Sequence, residues 1–122
     1  MTKVVNLTAH PVVVLDHEDV PLANFKPSGS VARLVEEATV GEPLHLDIGN
    51  IPMRMVRYGH VDGLPEPDTS TVYIVSLVTA MTATDRNDVI CPHGEVRDHN
   101  GRIIGVRGFA RIEHHQGADY AD

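Results

Sequence analysis

The groups in this chain that could do chemistry fall into a few short constellations. Ser76 follows the apolar run Val72-Tyr73-Ile74-Val75 and precedes Leu77, Ala80 and Met81. That order reads as a strand feeding a helix, with a hydroxyl at the junction to cap it. A helix N-terminus at a sheet edge leaves N–H groups that suit an anion or a carbonyl. Arg57-Tyr58 sets a guanidinium beside a ring, a pairing that can hold a nucleotide by phosphate and base. Arg86 with Asp88, and Arg107, supply further guanidinium forks, and Asn6, Thr8 and His10 put an amide, a hydroxyl and an imidazole in one polar segment. Asn6, Thr8, His10, Arg57, Tyr58, Ser76, Arg86, Asp88 and Arg107 are therefore the candidate ligand-binding residues.

Each of them also has a purely structural use. Asn6 and Thr8 are types that satisfy turn amides, and Ser76 can be a plain cap. Arg86 and Asp88 can form a surface pair of little energetic weight. A helix from Leu77 to Thr84 would separate Ser76 from Arg86 by about 12 Å at 1.5 Å rise per residue. Those two could share one small ligand only if the chain folds back or a second subunit supplies one of them. In the binding reading, Arg57 and Arg86 matter for the ligand and little for folding.

Catalysis and metal binding have weaker support. Cys91-Pro92-His93 leaves a single rigid residue between two potential zinc ligands, where turn-compatible pairs need two or more. His99 and the pair His114-His115 do not repair that spacing. Cys91 and His93, two apart on a strand, would share a face, so a small hydrolase using them is the enzymatic alternative. No activating turn or third orienting group accompanies them, and no Gly-x-Ser-x-Gly elbow occurs. We expect no catalytic residue, no metal and no cofactor.

The elements that must position these groups belong to one small domain. At 122 residues a second core would be too small to hold itself together, and with two Phe, three Tyr and no Trp the core must be built from Val, Leu and Ile. The ten Gly and eight Pro are scattered, which reads as many tight turns. Seventeen acidic against ten basic residues give a net charge of −7, which repels nucleic-acid polymers. Eight of the ten cations are Arg, the better fork for phosphate or carboxylate. A single cysteine, no leader-like N-terminus and no apolar window of about twenty residues point to a soluble cytoplasmic protein of the host cell, away from membranes.

The pattern along the chain predicts an α+β fold: a mainly antiparallel sheet, one short helix after Ser76, and a C-terminal β-hairpin. Val4–Leu7 and Val12–Leu15 read as the two strands of a hairpin. His17-Glu18-Asp19 is a solvated turn, and Val31 to Val35 alternates as a half-buried strand. Gly41 and Pro43 leave Thr39–Leu46 ambiguous, whereas Ile51–Val61 is the longest clear strand, with Gly59 as a candidate bulge. Asn100-Gly101 predicts a two-residue type I′ turn, both residues at positive φ, pairing Val96–Asp98 with Ile103–Gly105. Residues 1–122 form one domain, of which 114–122 read as a frayed polar tail. A homo-oligomer is expected, because a short β-rich chain exposes strand edges that a two-fold can pair.

The order of several segments resembles a family of small phage and prophage proteins. The matching pieces are Asn6-Leu7-Thr8-Ala9-His10, Pro27-Ser28-Gly29 before Val31-Ala32-Arg33, Tyr58-Gly59, Gly63-Leu64-Pro65, Val72-Tyr73-Ile74-Val75-Ser76, Arg86-Asn87-Asp88-Val89 and Gly101-Arg102-Ile103-Ile104-Gly105. Ala9 departs from the usual proline after the threonine, and Val106 stands where a cysteine often follows the glycine. The resemblance implies a genomic setting, a phage or prophage accessory gene, and no mechanism. With the candidate residues it leads to one reading and two alternatives. The reading is an accessory protein that sequesters a small anionic, nucleotide-derived immune signal of the host. The alternatives are a structural or protein–protein role in the phage, and the Cys91/His93 hydrolase.

Overall fold

The computed structural model describes residues 2–113. The strands are β1 (Lys3–Asn6), β2 (Val12–Leu15), β3 (Pro21–Phe25), β4 (Arg33–Val40), β5 (Leu44–Leu46), β6 (Gly49–Ile51), β7 (Arg54–Asp62), β8 (Thr71–Ile74), β9 (Val89–Arg97) and β10 (Ile103–Ala110), and the helix is α1 (Leu77–Thr82). The fold is α+β, with one short helix and a C-terminal β9–β10 hairpin. The frayed-tail expectation and the pair His114-His115 lie outside the described residues.

The apolar run 72–75 takes the buried place that its composition demands. β8 lies between β1 and β9, and both Ile74 and Val75 are 0% exposed. Six strands form one sheet in the order β1-β8-β9-β10-β2-β3. Its β1–β8, β8–β9 and β10–β2 ladders are parallel, and its β9–β10 and β2–β3 ladders antiparallel. The two further two-stranded ladders, β4–β7 and β5–β6, are antiparallel, so that sense prevails over the described chain as a whole. The parallel β8–β9 pair needs a crossover, which the chain from Val75 to Asp88 supplies with α1 inside it.

The sheet does not stay open. At its two ends Asn6 bridges Pro27, and the Ser28 N–H donates to the Asn6 carbonyl at 2.9 Å, so the six strands curl into a small barrel. Val12, Ile74 and Val106 fill one apolar cluster, flanked by Phe25 and Phe109 in an edge-to-face contact at 5.7 Å. The other cluster, Leu7, Ala32, Tyr73, Val75, Ala80, Val89 and Cys91, lies beneath α1. Adjacent residues of β8 thus serve opposite faces, as pleating requires. β10 comes so close to β2 that a Cβ on Gly105 would meet the Val13 carbonyl oxygen at 2.8 Å.

Three local expectations are corrected. Val4–Leu7 and Val12–Leu15 are not a hairpin: β1 runs parallel to β8, while β2 pairs with β3 through the Asp16–Val20 turn. β1 instead lies along the buried β8, and the Leu7 N–H beyond it donates to the Ile74 carbonyl at 2.9 Å. The hairpin at Asn100-Gly101 exists without a type I′ turn. Gly101 has φ of 82°, and among non-glycine residues described only Asp19 has positive φ. Asp98 decides the geometry: its carboxylate accepts from the Asn100 N–H at 2.8 Å and the Arg102 N–H at 3.0 Å. That favours a turn over Asp98–Gly101 with a bulge beyond it, so Arg97 pairs with Ile103 and Val96 with Gly105. Finally, α1 stops at Thr82 rather than Thr84, ahead of the polar run Thr84-Asp85-Arg86-Asn87.

β4 and β7 leave the barrel as a two-stranded arm, and β5–β6 form its distal hairpin. Gly41 and Pro43 separate β4 from β5, and Pro52 and Met53 separate β6 from β7. Opposite Val35, β7 carries two residues, Gly59 and His60, which is the expected bulge. Among the described residues no helix is long and apolar enough to cross a membrane.

Candidate functional site

A groove of about 490 Å³ opens where three elements meet: the Thr8–His10 loop, the base of the arm and the start of α1. Thr8, His10, Tyr58 and Ser76 line it, joined by Arg33, Leu34 and Val78. Five expected residues stand elsewhere. Asn6 lies beneath the loop, Arg57 faces a separate hollow of about 270 Å³, and Arg86, Asp88 and Arg107 are paired away from the groove.

Asn6 is buried, at 2% exposure, and every polar atom of its side chain is committed. Its amide nitrogen donates to the His10 carbonyl at 2.9 Å and the Phe25 carbonyl at 2.8 Å. Its oxygen accepts from the Thr8 N–H at 2.9 Å and the Thr8 hydroxyl at 2.7 Å. The amide therefore ties the barrel seam to the loop and shapes the groove without facing it. Thr8 is held by the same network, whereas His10 is exposed.

Ser76 is consumed as a cap. Its hydroxyl accepts from the Thr79 N–H at 3.4 Å and donates to the Thr79 hydroxyl at 2.9 Å. α1 is only six residues long, so its dipole is short and its N-terminus is not the anion site that the sequence invited. Arg86 is committed as well. Its guanidinium grips both Asp88 oxygens at 2.8 Å and donates to the Pro65 carbonyl at 2.7 Å. The Arg86 and Asp88 side chains are only 17% and 11% exposed, so the clamp is largely dry rather than a surface pair. The Arg86 hydrogen bonds hold the Asp88 carboxyl below its ordinary pKa and raise that of Arg86, against the opposing effect of burial. Arg107 pairs with Asp19 at 2.7 Å and donates to the Asp16 carbonyl, closing the β2–β3 turn.

Arg57 and Tyr58 are neighbours on a strand, so they point to opposite faces of the arm and cannot hold one ligand between them. Arg33 is the arginine among the groove-lining residues, entering β4 opposite Asp62 at the base of the arm. Sequence reasoning placed Arg33 among the strand arginines and missed its role. Neither Arg33 nor Tyr58 forms a side-chain hydrogen bond or ion pair among the described residues.

The groove has no acidic residue in its lining, and Arg33 is the arginine there. A second groove of about 590 Å³ lies on the other side of the Thr8–His10 ridge, beside Leu77, Ile103 and Ile104, and contains Glu95. The first groove suits an anion and the second opposes one.

Cys91 is 1% exposed, its thiol donates to the Ala110 carbonyl at 3.7 Å, and burial pushes its pKa up. A substrate cannot reach it, and the thiolate that a nucleophile needs is disfavoured. Among the described residues no three His, Cys, Asp or Glu side chains come together as a metal site would need. No family model, curated protein or solved structure matches the chain.

Proposed function

We propose that the chain is a small-ligand binding protein, an accessory protein of phage or prophage kind, that sequesters a compact nucleotide-derived anion without transforming it. The observation that carries this reading is the 490 Å³ groove, whose lining brings uncommitted Arg33 and Tyr58 to Thr8, His10 and Ser76 and includes no carboxylate. A guanidinium takes a phosphate and a phenol ring stacks on a base, while apolar Leu34 and Val78 exclude water around them. The only thiol described is buried, and the Thr8 and Ser76 hydroxyls are spent on the loop and the helix cap. His10 lines the groove with no free hydroxyl or thiol nucleophile beside it, which favours holding the ligand intact over transforming it. The resemblance of segments such as 72–76 and 101–105 to small phage proteins supports the host-immune setting of that ligand.

The test is a thermal-shift series with nucleoside mono- and diphosphates, dinucleotides and inorganic phosphate. A nucleotide that binds should raise the melting temperature in proportion to its concentration over Kd. The same molecule should then be recovered chemically unchanged after heat release. No shift with any phosphate-bearing probe defeats the reading, and recovery of a cleaved product would replace it with an enzymatic one.

A further inference from the structure

The arm carries an apolar stripe that nothing in the monomer covers. In the β4–β7 register, residues opposite one another share a face, and so do residues two apart on one strand. One face therefore reads, from base to tip, Leu34/Val61, Glu36/Tyr58, Ala38/Val56 and Val40/Arg54. Val61 is packed on the core beneath α1, so this face continues the core outward. Beyond it, Tyr58, Val56 and Val40 stand 58%, 46% and 83% exposed. Glu36 and Arg54 are the two charges on the stripe, and neither forms an ion pair among the described residues.

Their placement is self-complementary. They sit one step to either side of the Ala38/Val56 pair, with opposite sign. We propose that this face is the contact between two copies of the chain, their arms antiparallel and face to face about a two-fold at the Ala38/Val56 level. That axis lays the Glu36/Tyr58 step over the Val40/Arg54 step of the second copy. The partner's Arg54 then reaches Glu36, and the same contact recurs on the other side of the axis. The small Ala38 at the centre lets the two ribbons approach. A two-fold along the arm would instead set the Glu36 step against itself and leave both carboxylates without a cation, so the charges select the antiparallel arrangement. The same charges argue for a second copy over an unrelated protein, because one surface supplies both signs at matching spacing.

The full chain is tested by sedimentation at micromolar concentration. The parent should run at twice the 13.3 kDa of one chain. E36R and R54E should each weaken association by about tenfold or more, and the double swap E36R/R54E should restore it, with melting of the monomer unchanged. A38C should give a dimer band with a short bismaleimide, and the parent none, since Cys91 is buried. If the charge variants do not fold, the A38C cross-link decides alone: a dimer band supports the arrangement and its absence overturns it. A parent that runs as a single chain, or a dimer indifferent to both single charge changes, overturns it too.

Discussion

The barrel seam and the arm spend their polar groups in opposite ways. At the seam, Asn6 makes four hydrogen-bond contacts within 3 Å, and elsewhere in the barrel and its loops Arg86, Asp88 and Arg107 are all paired. On the arm, Arg33, Glu36, Arg54, Arg57 and Tyr58 have no side-chain partner among the described residues, while Met55 and Val40 lie open to solvent. Folding alone accounts for the first pattern, because buried polar groups must be satisfied. Folding alone does not account for the second. A ribbon with exposed apolar faces and unspent charges is a surface awaiting something, and the groove sits where the two regions join.

The sharpest way to break the contrast is to damage the barrel where it is driest. I74D places a carboxylate where exposure is 0%, and soluble expression should be lost, since an unpaired buried charge is very costly. A normal yield would mean that β8 is not interior. N6A should follow, leaving the Thr8 N–H and the Phe25 carbonyl short of a partner at the seam. A loss of roughly 3 kcal/mol, and a melting temperature down by about 10 °C, is expected on calorimetry.

R86A should cost about as much, because removing one member of a largely dry pair strands the other. This reverses the expectation that Arg86 is dispensable for folding. The clamp also has a pH signature. Asp88 has a lowered pKa in the folded state, so its stabilisation is fully present above the unfolded-state value of about 3.9. It is lost as pH falls through the lowered folded value. Urea midpoints of the parent should therefore decline on acidification below about pH 4, and the decline should shrink in R86A, where nothing holds Asp88 down. Equal acid limbs in the two proteins would remove the clamp from the account.

How much of this was legible follows from which interactions are local. The strand 72–75, the Ser76 cap, the Gly59 bulge and the existence of a turn at residues 98–101 depend on neighbours in sequence, and residue types declare them. The partner of β1 does not: pairing with β8 spans most of the chain and depends on how the sheet closes. Asp98 outcompeted the Asn-Gly signal because its carboxylate captures two amides, a contact that dipeptide preference ignores. For the site, Thr8, His10, Tyr58 and Ser76 were reachable from composition of their segments. Arg33 was not, because only the fold brings it to Tyr58. The arginine forks named in its place were already occupied by Asp88 and Asp19 or, for Arg57, turned to the other face.

The smallest effect on stability is also the finest test of the contrast. Arg33 and Arg57 are exposed arm residues of one chemical type, and both should be removable with the melting temperature nearly unchanged. Only Arg33 lines the groove with Tyr58. R33A and Y58F should separate two contributions: the first removes the phosphate fork, while the second keeps the stacking ring and removes only its hydroxyl. A nucleotide that raises the melting temperature of the parent should do so for R57A and Y58F but not for R33A. A guanidinium–phosphate contact is worth about 1.5–3 kcal/mol, so the R33A titration should shift to at least tenfold higher ligand. If R57A loses the ligand and R33A keeps it, the binding face of the arm is the other one, and the groove gives way to the Glu37–Arg57 hollow as the site.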